Sequence, residues 1–141
     1  MPLNKGRLWL GGLAGGVVWN IWSIVVYLLV IKPERYVIEQ NAGYFLKNPR
    51  YPAFQVQWIV MLFVLAIIMA HLYAWSRAGA GPGPATALKI GFLVGFAIGF
   101  PSNFAQATWS PIHRILPLGW MLEMWIGAIL ATLTAGYLYK E

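Results

Sequence analysis

The chain has 141 residues, 60% of them hydrophobic and only 10% charged, against the roughly 25% charged residues usual in soluble domains. Four long apolar runs account for the excess and predict an all-α integral membrane protein of one domain rather than a soluble fold. The net charge of +6 comes from basic residues scattered over loops and helix ends, which argues for contact with the headgroups of a lipid bilayer and against nucleic acid; the absence of cysteine excludes disulfides, thiolate catalysis and cysteine-ligated metal.

The opening MPLNKGR is short and basic. The apolar run 8–31 behind it is too long for a signal-peptide core and ends without a small-residue cleavage site. It predicts a first membrane helix, rising about 36 Å. Gly11, Gly12, Gly15 and Gly16 crowd its first half, and Asn20 and Ser23 follow among Trp19 and Trp22. Residues 32–52 form the longest polar stretch. Pro33 suits a helix start, and Tyr36, Val37, Gln40 and Tyr44 make one face of a short interfacial helix. Gly43 cuts against it, and an ordered loop with aromatic anchors is the alternative. A second span is expected over 53–75, opening with Gln55 and Gln57 and closing with His71, Tyr73 and Trp75.

The glycines and prolines of 76–84, SRAGAGPGP, are expected to preclude helix and to form a turn between two hairpins. A third span runs over 88–109 with Pro101 inside it, a kink signal. The connection 110–117 is tight, and a fourth span runs over 118–139. The predicted fold is a four-transmembrane-helix bundle of two hairpins, with a short interfacial segment between helices 1 and 2.

Glycines recur every fourth residue at Gly91, Gly95 and Gly99, and small residues do the same at Gly127, Ala131 and Ala135. In lipid, helices associate by close packing rather than by the hydrophobic effect, so such stripes read as packing seams. The third helix is therefore expected at the centre, with the others on its glycine face. Gly12, Gly16 and Asn20 have the same spacing as Gly95, Gly99 and Asn103. Duplication and chance compete as explanations of that echo.

Glu123 is the acidic residue inside a span, expected about 7–8 Å into the fourth helix. A carboxylate there is expensive and should face the bundle interior. Depth groups it with Asn103, Gln106, Gln57 and Arg114, with His113 near and Asn20 deeper. One reading is structural, with Arg114 neutralising Glu123. The other is a polar pocket for a small ligand or ion. His71 and His113 fall on opposite sides of the membrane and cannot share a metal, so no metal site is expected. For His71, an axial ligand to a porphyrin or chlorophyll competes with a plain interfacial histidine. Trp9, Trp75, Trp109 and Trp120 fit an aromatic belt, while Trp19, Trp22, Trp58 and Trp125 lie deeper. No phosphate-binding loop, metalloprotease helix or serine–histidine–acid set appears, so an enzyme is not expected.

The run Gly15-Gly16-Val17-Val18-Trp19-Asn20, the glycine-rich third helix and Gly127-Ala128-Ile129-Leu130 together resemble bacterial four-helix integral membrane proteins of uncharacterised function. The resemblance implies the fold and a bacterial inner membrane, and supplies no activity. Basic residues divide evenly between the two sides, Lys5, Arg7, Arg77, Lys89 and Lys140 against Lys32, Arg35, Lys47, Arg50 and Arg114. Those ahead of the first helix favour cytoplasmic termini. The expected role is a non-catalytic subunit or scaffold in a homo-oligomer or with other membrane subunits. The alternative is a carrier or binding protein using the Glu123 pocket.

Overall fold

A computed structural model describes residues 2–140. Among them every regular element is a helix and no strand is present: α1 (Lys5–Val25), a π-helical segment (Val26–Ile31), α2 (Pro33–Asn41), α3 (Phe54–Ala80), α4 (Pro84–Trp109) and α5 (Ile115–Leu138). Four helices are long and apolar enough to cross a membrane: Lys5–Ile31, Phe54–Ala80, Pro84–Trp109 and Ile115–Leu138, with mean hydropathy from 1.5 to 2.2. Their outward faces carry large apolar side chains, among them Leu29, Val56, Leu93 and Phe104. That suits a bilayer, in which exposing apolar surface carries no cost.

The helix ends explain themselves locally. Asn4 caps α1, its side-chain oxygen accepting from the Arg7 amide at 3.1 Å. At the far end the helix widens into the π-helical segment. Lys32 then takes a left-handed φ of 69°, which turns the chain sharply into α2, opened by Pro33 in its first turn. The interfacial segment is thus a helix, and it stops before Gly43.

The stretch 76–84 departs from expectation, because α3 continues to Ala80. Arg77, Ala78 and Ala80 favour helix, and one glycine, Gly79, costs only about 1 kcal/mol. The stop comes at Gly81, whose φ is 84°, with Pro82 after it. Pro84 then starts α4 four residues earlier than the apolar run does. Thr86 holds this turn closed, donating to the Gly81 carbonyl at 2.7 Å. In α5 likewise, Pro117 lies in the first turn, where its missing N–H is not needed, so the helix begins at Ile115.

The central helix is α5, not α4. It packs against α1, α3 and α4, whereas α4 rests mainly on α5. The reason is the distribution of small residues. Gly127, Ala131 and Ala135 face α1, where Gly127 accommodates the Trp19 indole. A second face receives α4: a Cβ at Gly91 would lie 2.6 Å from Ile129 Cα, and one at Gly95 2.8 Å from the Trp125 carbonyl oxygen. Beside this seam Phe92 and Phe96 of α4 stand edge-on to Trp125 of α5, and Leu93 and Phe104 are exposed away from it.

Three buried layers follow the bundle axis. Leu8, Tyr73, Ala135 and Tyr139 form the layer nearest the termini. Trp19, Leu62, Ala66 and Ala131 form the middle. Val26, Ile31, Ile112 and Leu116 close the end beside α2. The termini share one side, with Asn4 donating through its backbone to the Tyr139 hydroxyl at 3.2 Å.

Candidate functional site

Between the middle layer and the α2 layer the bundle becomes polar. Trp19 and Trp22 on α1 fix its position against α5. Their indole N–H groups donate to the backbone oxygens of Glu123 and Leu122, each at 3.2 Å. This sets Ser23, one residue on, against the Glu123 side chain. The Ser23 hydroxyl donates to Glu123 Oε1 at 2.6 Å, and Trp58 Nε1 on α3 donates to the same oxygen at 2.9 Å. Three spans therefore meet on one carboxylate.

Glu123 is only 7% exposed. Because α5 begins at Ile115, it lies about 12 Å along the helix, deeper than the apolar run suggests. Its second oxygen, Oε2, has no hydrogen-bond partner among the described residues, yet it is not enclosed. The side chain is thus buried with one oxygen open. No cationic side chain of the described residues reaches it.

Asn20, one turn before Ser23 on α1, adjoins the site. Its amide nitrogen donates to the Gly16 oxygen at 2.9 Å and, across to α3, to the Ile59 oxygen at 3.4 Å. Ile59 follows Trp58 in the chain, so Asn20 bonds to the position next to the residue that donates to Glu123.

The other residues grouped with Glu123 by depth do not meet it. Asn103 donates to the Gly99 oxygen of its own helix at 2.7 Å, and Gln106 is exposed. Both are on α4, which packs against Met121 and Trp125. Those residues stand two positions to either side of Glu123, about 200° around the helix from it. Gln57 is exposed beside Trp58, pointing a different way. Arg114 is exposed in the connection ahead of α5 and does not neutralise Glu123. Depth groups these residues toward one end of the bundle but carries no information on direction around each helix. Ser23 and Trp58 are the site residues that depth alone missed. The signal for Ser23 was its i, i+3 spacing from Asn20.

The histidines serve local roles. His71 Nδ1 lies 2.8 Å from the Ile67 oxygen, and its ring stands edge-on to Trp75. The His113 backbone donates to Glu39 Oε1 at 3.1 Å, and its Nδ1 accepts from the Ile115 amide. Glu39 on α2 is therefore a second buried acid, tying the interfacial helix to the α4–α5 connection. Among the described residues no group of three or more His, Cys, Asp or Glu side chains is arranged to hold a metal ion.

Beside this clasp, Trp120 Nε1 donates to the Tyr36 hydroxyl at 2.8 Å within an aromatic cluster of Tyr27, Tyr36, Phe45 and Trp120. Burial raises the Tyr36 pKa above its ordinary 10.0, and the Trp120 hydrogen bond opposes that shift. Elsewhere, an apolar groove of about 450 Å³ runs along α5, lined by residues such as Val30, Phe92, Leu122 and Ile129. Trp125 also borders it, and its enclosed Nε1 lacks a hydrogen-bond partner. The groove does not include Glu123.

The Glu123 arrangement can hold or exchange a proton, or accept hydrogen bonds from a ligand, through Oε2. Comparison with protein-family models, with curated proteins and with solved structures found no match for this chain.

Proposed function

We propose that this chain is a small membrane-embedded binding protein, without catalysis of its own, whose Glu123 pocket takes up a small ligand or ion. One observation carries the reading. A carboxylate buried inside a span has two donors on one oxygen, no cation beside it, and a second oxygen that stays open. Placing a charged residue at a helix centre costs about 2.5 to 3.5 kcal/mol on insertion scales. A purely structural acid would be expected to offset that cost with a cation, and Arg114 is not in reach.

Native mass spectrometry after gentle solubilisation tests the reading. The wild-type protein is expected to carry a reproducible extra mass that Glu123→Gln loses while keeping its assembly state. An extra mass that persists in Glu123→Gln, or its absence from both, overturns the proposal.

A second reading, a non-catalytic subunit or scaffold in a homo-oligomer or larger complex, is favoured by α4. This helix rests mainly on α5 and presents Leu93 and Phe104 outward. The same mass spectrum would then show defined additional chains. The glycine stripes do not favour assembly, because we read them as seams within the chain: Gly91, Gly95 and Gly99 face α5. For the setting we propose a bacterial inner membrane, from the resemblance noted above, with cytoplasmic termini, from the basic residues ahead of α1.

A further inference from the structure

Resting on that binding reading, we infer that the Glu123 site takes a primary ammonium group, R–NH3+. Every side-chain donor around the carboxylate is already engaged. The Ser23 hydroxyl and Trp58 Nε1 donate to Glu123 Oε1. Trp19 and Trp22 donate to backbone oxygens of α5. The Asn20 amide nitrogen donates to Gly16 and Ile59. An anion or a carbonyl ligand needs donors, and with Glu123 ionised these groups have none to give.

What they retain are acceptors. Among the described residues Glu123 Oε2 has no partner and Asn20 Oδ1 accepts no bond, and Ser23 Oγ keeps lone-pair capacity while donating. Asn20 and Ser23 share a face of α1, three residues apart. Ser23 bonds to Glu123 itself, and Asn20 bonds to Ile59, the residue after the Trp58 that also donates to Glu123. Three acceptor groups thus belong to one small region, and a primary ammonium carries three N–H donors. Its charge also compensates the buried carboxylate, which an apolar setting otherwise penalises. A quaternary ammonium offers no N–H, and a hard metal cation asks for about six oxygen ligands. A free amine and the headgroup of an aminophospholipid present the same chemistry.

Infrared difference spectroscopy in lipid nanodiscs separates these cases. The chain has only four acidic side chains, so a change in one carboxylate band is readable. In phosphatidylcholine nanodiscs, ethylammonium is expected to shift a carboxylate band at a concentration at least about tenfold below that of tetramethylammonium or sodium. Glu123→Gln is expected to lose the shift. Should that variant fail to fold, Asn20→Ala keeps the carboxylate and is expected to weaken the ethylammonium response about fivefold. The same band shift in phosphatidylethanolamine nanodiscs without added amine would identify the lipid headgroup as the source. Its absence there, with a response to ethylammonium, would identify a free amine. If tetramethylammonium or sodium acts as well as ethylammonium, the ammonium inference fails and the binding reading stands. If no probe perturbs a Glu123-dependent band, the ammonium inference fails. If Glu123-dependent extra mass is absent as well, the binding reading falls with it.

Discussion

α1 and α4 carry the same spacing, Gly12–Gly16–Asn20 and Gly95–Gly99–Asn103, and use it differently. On α4, Gly95 and Gly99 admit the backbone of α5 at the level of Trp125 and Met121, and Gly91 extends that seam to Ile129. On α1, Gly12 admits both the backbone and the side chain of Ile67 from α3 and Gly16 admits the Phe63 ring, while the neighbouring pair Gly11 and Gly15 meet α5 at Ala135 and Ala131. The asparagines diverge too. Asn20 reaches across to α3, and Asn103 bonds only to its own helix. Glycine spacing specifies close approach but not the approaching group. A polar residue becomes part of a site only where a second helix covers its face. α1 lies between two helices, and α4 chiefly against one.

Alanine at one glycine of each helix should break this symmetry most strongly. A Cβ at Gly91 would lie 2.6 Å from Ile129 Cα, and backbone relieves such a clash only by separating the helices. Gly91→Ala is expected to cost about 3 kcal/mol, the upper end for overpacking. Gly16→Ala meets the ring of Phe63, which can rotate toward lipid, and should cost about 1 kcal/mol. Reversible unfolding in mixed micelles measures both. Equal costs would mean that the two glycine faces do the same job.

The asparagines give a smaller, cleaner contrast. Asn20→Ala removes an interhelical hydrogen bond and should destabilise by about 0.6 to 1.7 kcal/mol. Asn103→Ala removes a bond within one helix turn and adds a better helix former, so its effect should be near zero. A loss at Asn103 comparable to that at Asn20 would show that α4 has a polar partner not supplied by this chain.

This contrast also marks where reading the sequence succeeds. Hydropathy located four membrane-length helices, because a bilayer demands long apolar runs whatever the packing, while for the polar stretch after the first it left helix and loop both open. Glycine at Gly91 and Gly95 announced close approach. Which helix is central was not legible, because α4 and α5 both bear small-residue stripes. Glu123 stood out by its charge. Its partners were hidden because a serine and a tryptophan, Ser23 and Trp58, are ordinary residues in membrane helices. Asn103, Gln106, Gln57 and Arg114 shared its depth and not its direction. Glu39 went unnoticed because an acid in a polar segment carries no penalty that would mark it as buried.

The smallest expected effect asks whether the polar end of α1 and α5 is sensed by α2. Burial raises the Tyr36 pKa, the Trp120 N–H lowers it, and the charge of Glu123 raises it further. A raised folded pKa favours the neutral phenol. Its stabilising contribution is therefore complete below the ordinary value of 10.0 and is lost as pH rises through the higher folded value. Tyr36→Phe should accordingly flatten the alkaline loss of stability. Glu123→Gln should move the Tyr36 titration, followed by tyrosinate absorbance against the Tyr36→Phe variant, back toward the ordinary value. Asn103→Ala, on the other side of α5, should leave it unmoved. If Glu123→Gln also leaves it unmoved while the fold is intact, the wild-type carboxyl has no net charge to exert. The site would then hold its proton in the resting state, and an incoming cation would have to displace it.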